Sequence, residues 1–88
     1  MKIAGAFAAF KRRAYLLIVV DPGSEAGIIR KLENMNNIKY VDFVHGDYDI
    51  VCVLEGGYSE IDETVIKVRK IPRIRKTITL TAFETHLE

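Results

Sequence analysis

The 88-residue sequence contains one cysteine, Cys52, so an internal disulfide is excluded and the usage is that of a reducing cytosol. It also lacks a dominant charge: 13 Lys plus Arg stand against 12 Asp plus Glu, for a net +1. Nothing in that balance steers the chain to DNA or to anionic lipid, and neither direct nucleic-acid binding nor membrane association is expected. No apolar run reaches the ~20 residues that a spanning helix needs. Met1-Lys2 followed by Ile3 to Phe10 has the charge and apolar stretch of a short signal peptide, but Lys11-Arg12-Arg13 stands where a small-residue cleavage site belongs. The segment is therefore read as part of the mature protein. Ligand spacings for metals are missing too. Asp42, Asp47 and Asp49 do not follow a calcium loop, and His45, His86 and one cysteine do not make a zinc pattern, so no metal and no cofactor are expected.

What is present points to a packed domain. The apolar fraction is 49% and the charged fraction 28%, which is neither a disordered nor a fibrous composition. A chain of this length forms one domain and buries only about two thirds of its unfolded surface. Ordering each residue costs roughly 1.5 kcal/mol of conformational entropy, so self-association is a natural further source of stability.

From Ala14 to Val20 the chain is β-branched, aliphatic and aromatic with no polar residue, as in a strand covered on both faces. Asp21-Pro22-Gly23 turns the chain, and Ser24 is placed to cap a helix. Ile28, Ile29, Leu32 and Met35 then recur at helical spacing opposite Glu25, Arg30, Lys31, Glu33 and Asn34, up to a stop at Asn36-Asn37. Ile38 to His45 alternates less cleanly, with Val41 and Phe43 against Tyr40, Asp42 and Val44, and suits an edge strand. After the turn Gly46-Asp47-Tyr48, Asp49 to Glu55 is apolar on both faces through Ile50, Cys52 and Leu54 and through Val51 and Val53. Gly56-Gly57-Tyr58 breaks the strand. Ser59 with Asp62 three residues on reads as a capping box for a helix that buries Ile61, Val65 and Val68 and stops at Pro72. Lys76 to Glu84 sets Ile78, Leu80 and Ala82 against Thr77, Thr79, Thr81 and Phe83, a strand with one apolar and one threonine-rich side.

The order βαββαβ predicts an α+β, ferredoxin-like domain: a four-stranded antiparallel sheet with both helices on one face and strands one and three at the centre. The two doubly apolar segments are those two strands. Helices on one side leave their other face bare, and five or six large apolar side chains there represent on the order of 10 kcal/mol of burial. A second copy packed sheet to sheet would cover them, giving a dimeric α/β sandwich. The alternative cover is the N-terminal segment itself, whose Ile3, Phe7 and Phe10 lie at helical spacing.

Chemistry-bearing residues concentrate at Gly46-Asp47-Tyr48-Asp49, two carboxylates and a phenol beside a glycine that lets a ligand approach the backbone. The simpler reading is a hairpin turn whose aspartates bond nearby amides. His45 could act as a base, but no nucleophile is placed beside it. Cys52 reads as a small buried hydrophobe. The cations Lys67, Arg69, Lys70, Arg73, Arg75 and Lys76 suit the C-terminal end of a helix, or else a contact with an acidic partner or phosphate.

The hairpin Val41-Asp42-Phe43-Val44-His45-Gly46-Asp47-Tyr48-Asp49-Ile50-Val51, with Lys70-Ile71-Pro72 and Thr77-Ile78-Thr79-Leu80, resembles the effector domain of the leucine- and asparagine-responsive (Lrp/AsnC) regulators, the RAM domain. The likeness covers residues 14–84, with 1–13 an N-terminal extension and 85–88 a tail. It implies a homodimer formed through the sheet and often a further octamer, a ring of four dimers. It also implies an amino acid or related effector bound between dimers. On this chain Gly46, Asp47, Tyr48 and Asp49 would line the pocket, backbone amides holding a carboxylate and a side-chain carboxylate holding an ammonium group. Thr77 and Thr79 would add hydroxyls. Only Met1 to Arg13 precedes the first strand, so the family's helix-turn-helix is not expected and the domain looks stand-alone. Two turns depart from the family pattern: Asn36-Asn37 replaces its Pro-Gly, and Arg73 replaces the glycine after Pro72.

The expected function is thus small-molecule sensing coupled to assembly, alone or together with a full-length regulator of the same family, in the cytoplasm and without catalysis. The rival from another class is a small dimeric enzyme using His45 with Asp47 or Asp49 in cofactor-free acid-base chemistry.

Overall fold

The computed structural model describes residues 12–82, which form β1 (Arg12–Val20), α1 (Glu25–Glu33), β2 (Ile38–Phe43), β3 (Ile50–Gly56), α2 (Tyr58–Arg69) and β4 (Ile74–Ala82). The segment carrying Ile3, Phe7 and Phe10, like Phe83 and the tail, lies outside the described residues. β1 begins at Arg12, inside the stretch assigned to the extension. The strands make one antiparallel sheet in the order β2-β3-β1-β4. This is the ferredoxin-like fold, with the two doubly apolar strands in the middle.

Side chains directly opposite each other share a face, so the register sorts the sheet. On the helix side, Ala14, Leu16, Ile18 and Val20 of β1 and Ile50, Cys52 and Leu54 of β3 are buried against Ile28, Leu32, Ile61 and Val68. Each fully buried Leu, Ile or Val of this cluster contributes about 1.5–3 kcal/mol. Burial pushes the Cys52 thiol up to about 12, with the nearby Asp42 charge adding to the shift, so the sulfur is an inert filler.

The other side of the sheet carries two apolar rows. Tyr40, Val53, Tyr15 and Leu80 lie across from one another, and beside them Asp42, Val51, Leu17 and Ile78. Tyr40 is 66% and Leu80 50% exposed. No described element covers this face.

Several local details depart from the sequence expectation. Strict alternation would place Ile38 with Tyr40, but a register shift between them turns Ile38 inward, opposite Leu54 and 8% exposed. Ser24 is the N-cap of α1, yet its hydroxyl donates back to the Asp21 carbonyl at 2.6 Å instead of accepting from the first turn. The cap of α2 is Gly57, not Ser59: its amide donates to Glu60 Oε1 at 2.8 Å, and Asp62 lies within the helix. The capping carboxylate therefore sits two residues earlier, at the position where glycine lets the chain leave β3.

That junction is closed by a polar clasp. Asn37 Nδ2 donates to the Glu55 carbonyl at 3.2 Å, Glu55 N donates to the Asn37 carbonyl at 3.0 Å, and Thr64 Oγ1 donates to Glu60 O at 2.9 Å. Gly56 sits inside it at φ 155°, where an added Cβ would lie 2.8 Å from Asn37 Nδ2 and 2.9 Å from Glu60 Oε1. Gly56→Ala is expected to lose about 2–4 kcal/mol through backbone strain and the displaced clasp, read as a lowered midpoint in urea unfolding. An unchanged midpoint would show that the clasp yields freely.

Candidate effector site

One end of the sheet gathers the chemistry. There β1 finishes, α1 begins, the β2–β3 turn returns and β4 starts. Gly46, with φ 129°, bends the turn where a side chain would strain the backbone. Val44 N then donates to the Asp49 carbonyl and Asp49 N to the Ile18 carbonyl, both at 2.9 Å.

The four turn residues are held differently. The Asp49 carboxylate accepts the backbone N–H of Val20 through Oδ2 at 2.9 Å, so this side chain bonds a nearby amide, the simpler of its two sequence readings. Asp47 is exposed, with no hydrogen bond or ion pair to another described residue. Tyr48 is half-buried, and the Lys76 ammonium stands 5.9 Å from its ring centroid. His45 is exposed, its ring 6.4 Å from that of Phe43.

Thr77 and Thr79 do not join this group. They lie opposite Ile18 and Leu16, on the side that the helices cover, and Thr77 Oγ1 accepts from Arg69 Nε at 3.4 Å. Lys76 lies opposite Val19 and so points the other way. The basic run is thereby divided. Lys67 and Arg69 occupy the last turn of α2 and Lys70 its cap, where a cation meets the helix dipole, whereas Arg75 and Lys76 belong to β4. Arg75 Nε reaches Asp21 Oδ1 at 3.7 Å. The signal for Lys76 was in the sequence, as the basic residue preceding Thr77, but only the pairing of β1 with β4 brings it to the turn.

A groove of about 530 Å³ opens nearby, lined by Pro22, Gly23, Ser24, Gly27, Ile28, Lys31, Pro72 and Arg73. None of the turn residues lines it. Within the turn Gly46 and Asp47 are exposed, while Tyr48 and Asp49 are half-buried. Among the described residues no three His, Cys, Asp or Glu side chains come together as a metal site, and no helix is long and apolar enough to cross a membrane.

Neither a family model nor a curated protein matches the sequence. Solved structures do. Hypothetical protein PHS023 from Pyrococcus horikoshii is 31% identical at a TM-score of 0.77, over 85% of this chain and 93% of its own. FFRP-DM1 is also 31% identical at a TM-score of 0.78, over 82% of this chain and 99% of its own. At the level of the fold the match extends to E. coli AsnC, 16% identical with a TM-score of 0.79 over 96% of this chain. It extends equally to the feast or famine regulatory protein of M. tuberculosis complexed with L-methionine, 16% identical with a TM-score of 0.72 over 97%. This chain spans 58% of each of the last two. The chain belongs to the Lrp/AsnC family.

One turn of this Lrp/AsnC domain holds a non-glycine residue in a conformation that suits glycine. Arg73, standing where the family pattern has glycine, adopts φ 74°, the left-handed conformation that glycine takes freely. The strain of about 1–2 kcal/mol outweighs the roughly 0.5–1 kcal/mol of chain entropy that glycine would add to the unfolded state. Arg73→Gly is therefore expected to raise stability by about 0.5–1 kcal/mol in denaturant titration, and a loss would place an unseen role on the Arg73 side chain. Asp49→Ala is expected to cost about 1–3 kcal/mol because the Val20 amide loses its acceptor, with Asp49→Asn nearer to wild type. Equal stability of all three would show that the Val20 bond contributes nothing.

Proposed function

We propose that this Lrp/AsnC domain is an assembly-coupled sensor: it forms a homodimer through the open face of its sheet, dimers associate further, up to a ring of four, and an amino acid or related small molecule binds where the turn 46–49 of one dimer meets the next. The apolar rows of β1, β3 and β4 on the uncovered face are the observation that carries the reading. A contiguous apolar face of this kind marks an interaction surface and suits a second sheet packed about 10 Å away. The open position of the turn favours a site completed by a neighbour. By the same surfaces the chain would associate with full-length regulators of its family and alter their assembly, with ligand stabilising one association state. The M. tuberculosis neighbour holding L-methionine supports an amino acid as the effector class. A buried, inert Cys52 agrees with a reducing cytosol.

The enzyme reading has less behind it, since His45 is exposed beside Phe43 and does not line the groove. The feast or famine regulatory protein among the structural neighbours weighs the same way.

Sedimentation at micromolar concentration should show dimers or larger species, and a well-folded monomer would overturn the proposal. In a thermal-shift panel over the twenty amino acids, one or a few should stabilise the protein. At 100-fold over Kd the gain is about 2.7 kcal/mol, roughly 10 °C or more for a domain of this size. Asp47→Ala should abolish that gain without lowering the unliganded melting temperature. Asp47 serves here in preference to Asp49, whose replacement also removes a structural bond.

A further inference from the structure

We infer that Lys76 is the specificity-determining cation of the effector site, taking the ligand carboxylate while Asp47 takes its ammonium group, so that the site selects unmodified zwitterions over amides and esters. The inference rests on the amino-acid-binding reading above and assigns β4's contribution to a residue other than the two threonines. Three observations carry it. First, the Asp49 carboxylate already accepts the Val20 amide at 2.9 Å, so within the turn the exposed Asp47 is the carboxylate left for an incoming ammonium group. Second, Thr77 and Thr79 point to the helix face of the sheet, opposite the buried Ile18 and Leu16 and away from the side that Lys76 takes; Thr79 is exposed there, and Thr77 already accepts from Arg69. Third, Lys76 leaves β4 on the opposite side and its ammonium stands 5.9 Å from the Tyr48 ring.

The neighbouring cation does not compete for this role, because Arg75 is paired with Asp21 at 3.7 Å. Lys76 has no ion-pair partner among the described residues. The ring of Tyr48 therefore has an anionic group beside it in the chain, Asp47, and a cationic one across it, Lys76. A molecule carrying an ammonium and a carboxylate on one carbon matches that pair of charges. One that has lost its negative end leaves the lysine unanswered. For a partly exposed charge-assisted contact the discrimination is about tenfold in affinity.

The test compares each amino acid that stabilises the wild-type protein with its own primary α-amide, by calorimetric titration. The wild type should prefer the free acid by about tenfold. Lys76→Met and Lys76→Gln should bring acid and amide within about threefold of each other, while Lys76→Arg and Thr79→Val keep the preference. If Lys76→Met and Lys76→Gln bind and still discriminate tenfold, or if Thr79→Val alone removes the preference, the inference falls and the sensing reading stands. If no amino acid stabilises the wild type, both fall together.

Discussion

The sheet of this protein must be satisfied on two sides, and the described elements supply cover for one. β1 and β3 carry Ala14, Leu16, Ile18, Val20, Ile50, Cys52 and Leu54 toward the helices, and Tyr15, Leu17, Val19, Val51 and Val53 away from them. Two amphipathic helices close the first set completely, which is why several of its members have no exposure at all. The second set is only half-buried. Burying the remaining half of five such side chains amounts to roughly 4–8 kcal/mol, a large part of the stability of an ordinary domain. The central placement of β1 and β3, the one-sided helices and the pressure toward association are consequences of the same two-faced strands.

The end of β1 is the second organising point. The Val20 amide is taken by Asp49, the Ile18 carbonyl by the Asp49 amide, and the Asp21 amide by the Arg73 carbonyl at 2.9 Å. A register shift against β4 falls between Val19 and Val20, where the strand bends to release the chain into the turn before α1. Three loops are thus fastened to one strand end. A turn that presents ligand-binding groups from such a frame keeps its geometry, because the residue that fixes it, Asp49, is distinct from the residues free to face a ligand. In the proposed site this would divide the two aspartates, Asp49 bracing the turn and Asp47 facing the ligand.

Much of the fold was legible in the residues, and the reasons differ by element. The uninterrupted apolar run from Ala14 to Val20 and the doubly apolar 49–55 could only be inner strands, and Thr77, Thr79 and Thr81 were separable from Ile78 and Leu80 by period alone. Those signals are local. The details that escaped depend on which strand lies beside which. The inward turn of Ile38 is created by pairing with β3, and the approach of Lys76 to Tyr48 crosses between segments 28 residues apart, as does the nearly equal span between Val20 and Asp49. The cap of α2 failed for another reason. Ser59 fits a capping pattern, but Glu60 was equally available to Gly57, and a glycine leaving β3 at φ 155° set the entry of α2 before Ser59 could. The resemblance gave the threonines their position along the strand but not the bond that Arg69 makes to one of them, which again crosses between elements.

The separation between covered core and open turn bears on regulation. A ligand enclosed within one chain would stabilise that chain whatever its state of association, and its binding would report nothing about neighbours. A ligand held at a turn that is surface in the single chain, and walled only when copies meet, contributes free energy to the assembled state alone. Linkage then requires that assembly tighten binding by the same factor by which binding tightens assembly, each tenfold being about 1.4 kcal/mol. In an assembly of the proposed kind, held first by the open sheet face, that increment is enough to tip a second, weaker association. The sheet face would then supply the permanent contact, and the sheet end, with its small number of charged groups, the reversible one.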